Sequence, residues 1–110
     1  MTKRKSYDVF KRDTLLLEFM REHKGRENIV TSHEVQKFLS DHGYSINRNN
    51  VGSLINKIMY ERNAPICYSN VKGYYWAQTK EEIEIAIADM EMRIASLKNH
   101  IQHLKNFIIT

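Results

Sequence analysis

The chain has 110 residues, of which 42% are hydrophobic and 27% charged, with a formal net charge of +4 and a pI of about 9.2. This length suits one compact domain with a modest core rather than two, and the composition excludes a wholly disordered chain. The positive charge permits an acidic partner such as nucleic acid without requiring one. Residues 1–79 hold the excess, with thirteen Lys and Arg against eight Asp and Glu, whereas residues 80–110 have four against five.

The single cysteine, Cys67, cannot form an intramolecular disulfide, and the chain has no long apolar run or signal-peptide pattern. We therefore expect a cytoplasmic protein that does not contact membranes. The histidines and the cysteine lack the paired spacing of a zinc site, and no Ser-His-Asp, paired-carboxylate or phosphate-loop pattern is recognisable. The sequence predicts no metal, no cofactor and no enzymatic activity.

The first helix is predicted over residues 7–23, because apolar side chains fall near one face and Lys24-Gly25-Arg26 ends the pattern. A minimal strand, Ile29-Val30, follows. Thr31 and Glu34 then occupy the N-cap and N3 positions of a capping box, which opens a second helix to about Ser40. The residues expected to be buried are Phe10, Leu16, Leu17 and Met20 in the first helix, and Val35, Phe38 and Leu39 in the second.

A third helix is predicted from the N-cap Asn47 to about Arg62, where Asn63-Ala64-Pro65 stops it. Its buried face follows the i, i+3, i+4, i+7 spacing of a helix on a core: Val51, Leu54, Ile55, Ile58 and Met59. The opposite face offers hydrogen-bonding side chains and no acid before Glu61.

Two short strands, residues 66–69 and 74–77, are rich in β-branched or aromatic residues and predict a β-hairpin. Gly73 is expected to supply the positive φ of the hairpin loop. Two roles are open for Tyr74, Tyr75 and Trp76, which would either stack on bases or, as is more usual, cover a core. Cys67 is expected to pack beside the hairpin as a small apolar residue.

Thr79 and Glu82 form a second capping box, which opens the strongest periodic pattern in the chain. Apolar residues alternate spacings of four and three, and this heptad repeat predicts one helix of about 28 residues and about 42 Å. We expect two effects: Ile83, Ile87 and Met90 dock on the first helix of the same chain, and self-association dominates beyond about Ile94. The residues assigned to dimerisation are Ile87, Met90, Ile94, Leu97, Ile101, Leu104 and Ile108.

Charge favours an antiparallel pair of these helices. Stacking Ile87 on Leu104 of a second copy brings Glu84 near Lys105 and Glu91 near Lys98, whereas a parallel pair sets Arg93 against Lys98. Two arguments oppose this. Early acids and late lysines also suit the dipole of the helix itself, and Ile at a with Leu at d is typical of parallel dimers.

The order of helix, strand, helix, turn, helix and hairpin is that of a winged helix. The segments LINKIMYERNAPICYS and KGYYWA resemble winged-helix proteins of phages and mobile elements of Gram-positive bacteria, over about a third of the chain. A winged helix followed by one long dimerisation helix is also similar in plan to the bacterial replication terminator protein and to PadR-like repressors, although no residue-by-residue match supports either.

The resemblance implies a mainly α fold with a small β-hairpin (α+β). A winged helix-turn-helix DNA-binding domain with a basic N-terminal tail would span residues 1–78, and a C-terminal coiled-coil dimerisation helix would span residues 79–110. The implied function is a homodimeric, sequence-specific double-stranded DNA-binding protein that regulates transcription or replication and recognises an inverted repeat. The alternative is a protein-binding module that inhibits or loads a host protein factor.

In such a complex the third helix enters the major groove, where asparagine pairs with adenine and Lys or Arg contacts guanine or phosphate. The hairpin tip would meet the flanking backbone, and the basic N-terminus would contact phosphate or the minor groove unless it is merely a disordered tail. The start of the second helix would also touch phosphate. The implied DNA contacts are Arg48, Asn49, Asn50, Ser53, Asn56, Lys57, Ser32, His33, Lys72, Lys3, Arg4 and Lys5.

Overall fold

The computed structural model describes the backbone of residues 2–69 and 73–108 and the side chains of residues 8–69 and 73–108. The described chain is mainly helical, with a small sheet and a long C-terminal helix, which confirms the predicted fold class at this level. A single 3-10 turn, Arg48–Asn50, precedes α3. The elements in chain order are α1 (Thr2–Glu22), β1 (Val30–Thr31), α2 (Ser32–Asp41), α3 (Val51–Glu61), β2 (Ile66–Ser69), β3 (Gly73–Trp76) and α4 (Lys80–Lys105).

The predicted hairpin and the minimal strand join in one antiparallel sheet with the order β1-β3-β2. In the central strand β3, Tyr74 lies opposite Val30 of β1, and Tyr75 lies opposite Cys67 of β2. The segment after α1 extends this pairing, because the Trp76 amide donates to the His23 carbonyl (2.7 Å) and the Gly25 amide donates to the Trp76 carbonyl (2.8 Å). The sheet therefore holds the end of α1 as well as the hairpin.

Gly73 has a different role from the one predicted. It lies within β3 without a positive φ, and a Cβ there would collide with the Ile29 side chain and lie 3.1 Å from the Val30 carbonyl oxygen. The glycine is needed because β1 and the residue before it approach the β3 backbone closely. This contact joins segments more than forty residues apart in the chain, which local turn preferences do not report.

The main core lies between α1, α2, α3 and the sheet. Phe38 of α2 stacks on Phe19 of α1 with ring centroids 4.0 Å apart. The prediction for Phe10 is wrong: its side chain is exposed, and the Arg62 guanidinium lies 4.7 Å above its ring. The other predicted core residues are confirmed as buried or partly buried: Leu16, Leu17, Met20, Val35, Phe38, Leu39, Val51, Leu54, Ile55, Ile58 and Met59.

The ends of α2 and α3 are closed by residues with positive φ. Gly43 (φ +86°) follows α2, where the Tyr44 amide donates to the Leu39 carbonyl in a Schellman arrangement. Asn63 (φ 52°) closes α3 in the same way, so the helix ends before Pro65 could stop it. At the start of α3 the predicted Asn47 side-chain cap is absent, and the 3-10 turn leads into the helix instead.

The three aromatic residues of β3 belong to cores. Tyr75 is 1% exposed and packs with Cys67, Ala77 and Ala86, whereas Tyr74 and Trp76 are partly buried against the main core. Burial is the main cause that raises the pKa of Tyr75 to about 12, and burial also raises the pKa of the Cys67 thiol. The expectation that Cys67 packs beside the hairpin is therefore confirmed, and the ring of Tyr75 is unavailable for stacking on bases.

The joint between the sheet and α4 depends on Glu82. Its carboxylate accepts hydrogen bonds from the backbone amides of Gln78 (2.7 Å), Arg26 (2.8 Å) and Thr79 (3.3 Å), while Thr79 Oγ1 accepts from the Glu82 amide (3.2 Å). The predicted capping box is thus confirmed, and it also holds the loop after α1. These amide hydrogen bonds, that from Gln78 first, lower the pKa of Glu82 below its ordinary value.

Beyond this joint α4 projects from the rest of the chain. The radius of gyration is 17.2 Å, against about 13 Å for a compact chain of this size. Ala86 is the buried residue of α4, and it packs on the hairpin. The expected docking of Ile83, Ile87 and Met90 on the first helix is not what the structure shows: the first turns of α4 pack mainly on β2, and these three side chains keep 40%, 46% and 52% of their surface exposed.

We predict that Gly73→Ala lowers the free energy of unfolding by about 1–3 kcal/mol, because the added methyl group cannot fit beside Ile29 and the β1 backbone. Ile29→Ala should remove part of this clash. Urea unfolding of both single variants and the double variant measures the coupling. Strictly additive effects would contradict the assigned contact.

We also predict that Glu82→Gln destabilises the protein at pH 7 by about 1 kcal/mol, because the ionised carboxylate accepts three backbone amides. Since folding lowers the pKa of Glu82, its charge stabilises the fold above the ordinary glutamate pKa, and this contribution is lost as pH falls through the lowered value. The difference between wild type and variant should therefore shrink as the pH falls below the ordinary glutamate pKa of 4.5.

The matched control is Glu81→Gln, which removes the same charge from the same helix turn on an exposed side chain. This control should lower the free energy of unfolding by only about 0.3–0.5 kcal/mol, which is the contribution of a negative charge near the N-terminus of a helix. Urea unfolding at pH 7 and below pH 4.5 gives the free energy of unfolding of each variant. Equal losses of stability at pH 7 for the two variants would contradict the role of Glu82 in the joint.

Candidate nucleic-acid interface

The orientation of α3 follows from its buried side. Val51, Leu54, Ile55 and Ile58 are buried in the core, so the residues half a turn away point outward. An exposed row of uncharged hydrogen-bonding side chains runs along the outer side with spacings of four, three and four. We call it the α3 polar row, and it consists of Asn49, Ser53, Asn56 and Tyr60.

The turn between α2 and α3 is fixed by side-chain and backbone bonds. Gln36 Nε2 donates to the Ile46 carbonyl (3.0 Å), and the Tyr44 amide donates to Leu39 (2.8 Å). Tyr44 and Ile46 are both partly buried against the main core. The α2–turn–α3 unit therefore presents the α3 polar row in a defined direction.

Arg48 and His33 lie side by side in front of this unit. Arg48 Nη2 and His33 Nδ1 are 2.9 Å apart, and both side chains are exposed. Since a guanidinium has no acceptor, Arg48 must donate to the lone pair of the His33 ring. The structure thus brings two of the predicted phosphate contacts together, with Ser32 partly buried beside them and Asn50 exposed in the same 3-10 turn as Arg48.

The N-terminus of α2 already has a negatively charged side chain, that of Glu34. Glu34 accepts from the Thr31 amide (3.0 Å), and this hydrogen bond is the main cause that lowers the pKa of Glu34. The carboxylate therefore stays ionised at the helix terminus and repels a phosphate there. Of the two residues predicted at this terminus, His33 has the stronger case, because Arg48 beside it supplies a cation.

Lys57 is held by carboxylates instead of projecting freely. Its Nζ lies 3.2 Å from Asp13 Oδ2 and 3.8 Å from Glu61 Oε1, and Arg12 contacts the other oxygen of Asp13 at 3.1 Å. Asp13 is only 5% exposed. Because a buried carboxylate needs cationic partners, Lys57 serves first to neutralise Asp13 and to tie α3 to α1. A second link joins the same helices, where Arg62 donates to Thr14 Oγ1 (3.1 Å).

The basic N-terminus is not an extended arm in the structure. Lys3, Arg4 and Lys5 lie in the first turns of α1, which begins at Thr2 rather than at residue 7. Lys, Arg, Ser and Tyr at these positions include no helix breaker, so the helix extends back over them. Lys72, predicted at the hairpin tip, lies outside the described residues.

The seam of α4 forms a second candidate surface. Its seven predicted dimerisation residues are between 46% and 80% exposed in the single chain. Lys80 lies 3.8 Å from Glu84 on the solvent side of the same helix. A continuous apolar row of this length is what a coiled-coil seam requires.

The described residues contain no cluster of three His, Cys, Asp or Glu side chains arranged to hold a metal ion. Within the same residues, no helix combines the length and the apolar character that crossing a bilayer requires.

Sequence reasoning missed Asp13, the residue that connects α1 to the candidate interface. A usable pattern was present, since Asp13 falls in a row with Val9, Leu16 and Met20 at spacings of four, three and four. An acid on the buried side of an amphipathic helix needs a cationic partner. Only the fold identifies Lys57 as that partner, forty-four positions along the chain.

We predict that Asp13→Asn lowers the free energy of unfolding by about 1–3 kcal/mol, because it removes the buried negative charge and replaces one of the two oxygens that Arg12 and Lys57 contact with an amide donor. Glu61→Gln is the matched control: it removes the exposed carboxylate near the same lysine and should cost at most about 0.5 kcal/mol. Urea unfolding at pH 7 measures both. A larger effect at Glu61 would contradict the assignment.

No protein-family model matches the chain, and comparisons with curated proteins and with solved structures also give no match.

Proposed function

We propose that this protein is a homodimeric, sequence-specific double-stranded DNA-binding protein that regulates transcription or replication in the cytoplasm. In this proposal residues 1–78 form a winged helix-turn-helix, and α4 supplies the dimer contact. It is a binding protein and not an enzyme. The observation that carries the proposal is the α3 polar row, which is exposed, uncharged and anchored from behind by four buried side chains.

Asparagine and serine suit base reading because their side chains donate and accept hydrogen bonds without repelling phosphate. Asn49 and Asn56 each offer the bidentate pairing that adenine accepts in the major groove. Ser53 lies between them on the same side of α3. Lys57 is a weaker candidate for base contact than the sequence indicated, since Asp13 already accepts from its ammonium group.

Phosphate contacts are assigned to Arg48 with His33, which flank the polar row on the α2 side. The β2–β3 hairpin, which lines a groove together with the second half of α3, is the wing of the proposed fold. Lys72 in the hairpin loop and Lys3, Arg4 and Lys5 at the N-terminus remain predicted phosphate contacts, which the described side chains do not test.

An antiparallel pairing of α4 supports this function because it sets a suitable distance between the two DNA-binding halves of the dimer. With Ile87 stacked on Leu104 of the second copy, the two Ala86 joints lie about 29 Å apart along the helix axis, at 1.5 Å per residue. This separation is of the order of one turn of DNA, about 34–36 Å between half-sites. A parallel pair would bring the two joints within about 10 Å. The operator is therefore expected to be an inverted repeat.

The alternative is a protein-binding winged-helix module that inhibits or loads a host factor. The exposed seam of α4 favours it, because an apolar helix side can bind a foreign helix as well as its own copy. The two functions differ in their response to salt and to duplex sequence.

The test is selection of duplexes from a random pool at low salt, followed by affinity measurement across salt concentrations. We predict an inverted-repeat site whose affinity falls ten- to hundredfold, about 1–3 kcal/mol, on Asn49→Ala or Asn56→Ala. Arg48→Ala should instead weaken binding to all sequences and reduce the salt slope by about one. Asn99→Ala, on the exposed far half of α4, is the control and should change neither. If no duplex is selected, the proposal fails and the protein-binding alternative replaces it.

A further inference from the structure

An apolar groove lies between the end of α3, strand β2 and the first half of α4. Its volume is about 690 Å³. Apolar and aromatic side chains form most of its wall, among them Met59, Pro65, Tyr68, Ala86, Ile87 and Met90. Two of these, Ile87 and Met90, belong to the predicted dimer seam, so the groove and the seam share a wall.

Heptad positions define which side of α4 faces the groove. Ile87 and Met90 occupy positions a and d, and Ala86 occupies position g, where it packs on Cys67 and Tyr75 of the hairpin. The domain therefore covers the g side of the seam. Glu84 and Glu91, at position e on the other side, are exposed to solvent.

Phe107 is the residue that the seam does not explain. It also occupies position g, where coiled coils usually have charged residues, and it is 71% exposed in the single chain. It lies in the turn that follows the end of α4 at Lys105, where its amide donates to the Leu104 carbonyl (3.0 Å). Its one described ring contact is with His103, 5.3 Å away between centroids.

Antiparallel pairing brings these two features together. In the register that stacks Ile87 on Leu104, residues at position g face each other across the seam, and Phe107 of one copy lies opposite Ala86 of the other. In a parallel pair the same two residues would be about 32 Å apart, at 1.5 Å per residue. The large ring of Phe107 would thus lie beside the small side chain of Ala86, at the edge of the groove.

We propose that this groove is the docking site for Phe107 of a second copy of the chain. The inference rests on the proposed antiparallel dimer and adds that each C-terminus packs against the DNA-reading half of its partner. The charge pattern fits this occupant, since the same register brings Lys105 and Lys98 of the second copy beside Glu84 and Glu91 on the solvent side. Two-fold symmetry fills both grooves at once.

The experiment is isotope-filtered nuclear Overhauser spectroscopy on a mixture of ¹³C-labelled and unlabelled full-length protein. The docking site predicts intermolecular contacts from the Phe107 ring to the methyl groups of Met59, Ala86 and Ile87. A dimer without these contacts would overturn the docking site while leaving the dimer intact. A monomer would overturn both.

A matched pair of variants tests the energetic consequence. Phe107→Ala removes two buried rings per dimer and should raise the dimer dissociation constant at least about a hundredfold. Met92→Ala removes a side chain of the same exposure, 72%, from position f and should leave the constant unchanged. Sedimentation equilibrium measures both, and equal effects of the two substitutions would overturn the proposal.

Discussion

The contact on which the other features depend is the joint at the start of α4. Glu82 accepts backbone amides from both sides, one from the loop after α1 and two from the segment that follows β3. One helical turn later, Ala86 packs on the hairpin. Together these contacts set the direction in which α4 leaves the domain. That direction decides which side of the helix the domain covers and which side stays open for a partner.

The molecule has two exposed surfaces that the core does not cover, the α3 polar row and the apolar seam of α4. One side of α3 is buried in the core, and Lys57 of α3 pairs with the buried Asp13 of α1, which leaves the α3 polar row exposed on the other side. The α4 seam is not part of the core, because the small domain buries Ala86 of α4 and leaves the seam residues 46–80% exposed. In the proposed dimer the second copy covers the seam, and the two polar rows lie at opposite ends of the paired helices.

Local patterns in the sequence were sufficient to predict which helices and strands the chain forms and in what order. Both capping boxes, the hairpin, the buried side of α3 and the long heptad helix are as predicted, because each depends on residues within a few positions of one another. Some errors are local, namely the start of α1 at Thr2 and the missing Asn47 cap, and others concern contacts between distant segments. Gly73 accommodates Ile29 rather than a turn, Phe10 lies one position away from the buried row of α1, and Lys57 faces an acid forty-four positions earlier. The periodicity of α1 could have corrected Phe10, because the row of Val9, Asp13, Leu16 and Met20 excludes it, whereas no local pattern reports the contacts of Gly73 and Lys57.

In the proposed dimer α4 pairs antiparallel and thereby spaces the two α3 helices by about one turn of DNA. Double electron–electron resonance tests it most directly, with one spin label per chain at Glu81→Cys and with Cys67 replaced by Ala. An antiparallel pair separates the two labels by about 44 Å along the helix axis, at 1.5 Å per residue. A parallel pair would place them within about 20 Å of each other, since packed helices lie 8–10 Å apart. A distance near 44 Å is the predicted result, and the short distance would contradict both the spacing argument and the docking of Phe107.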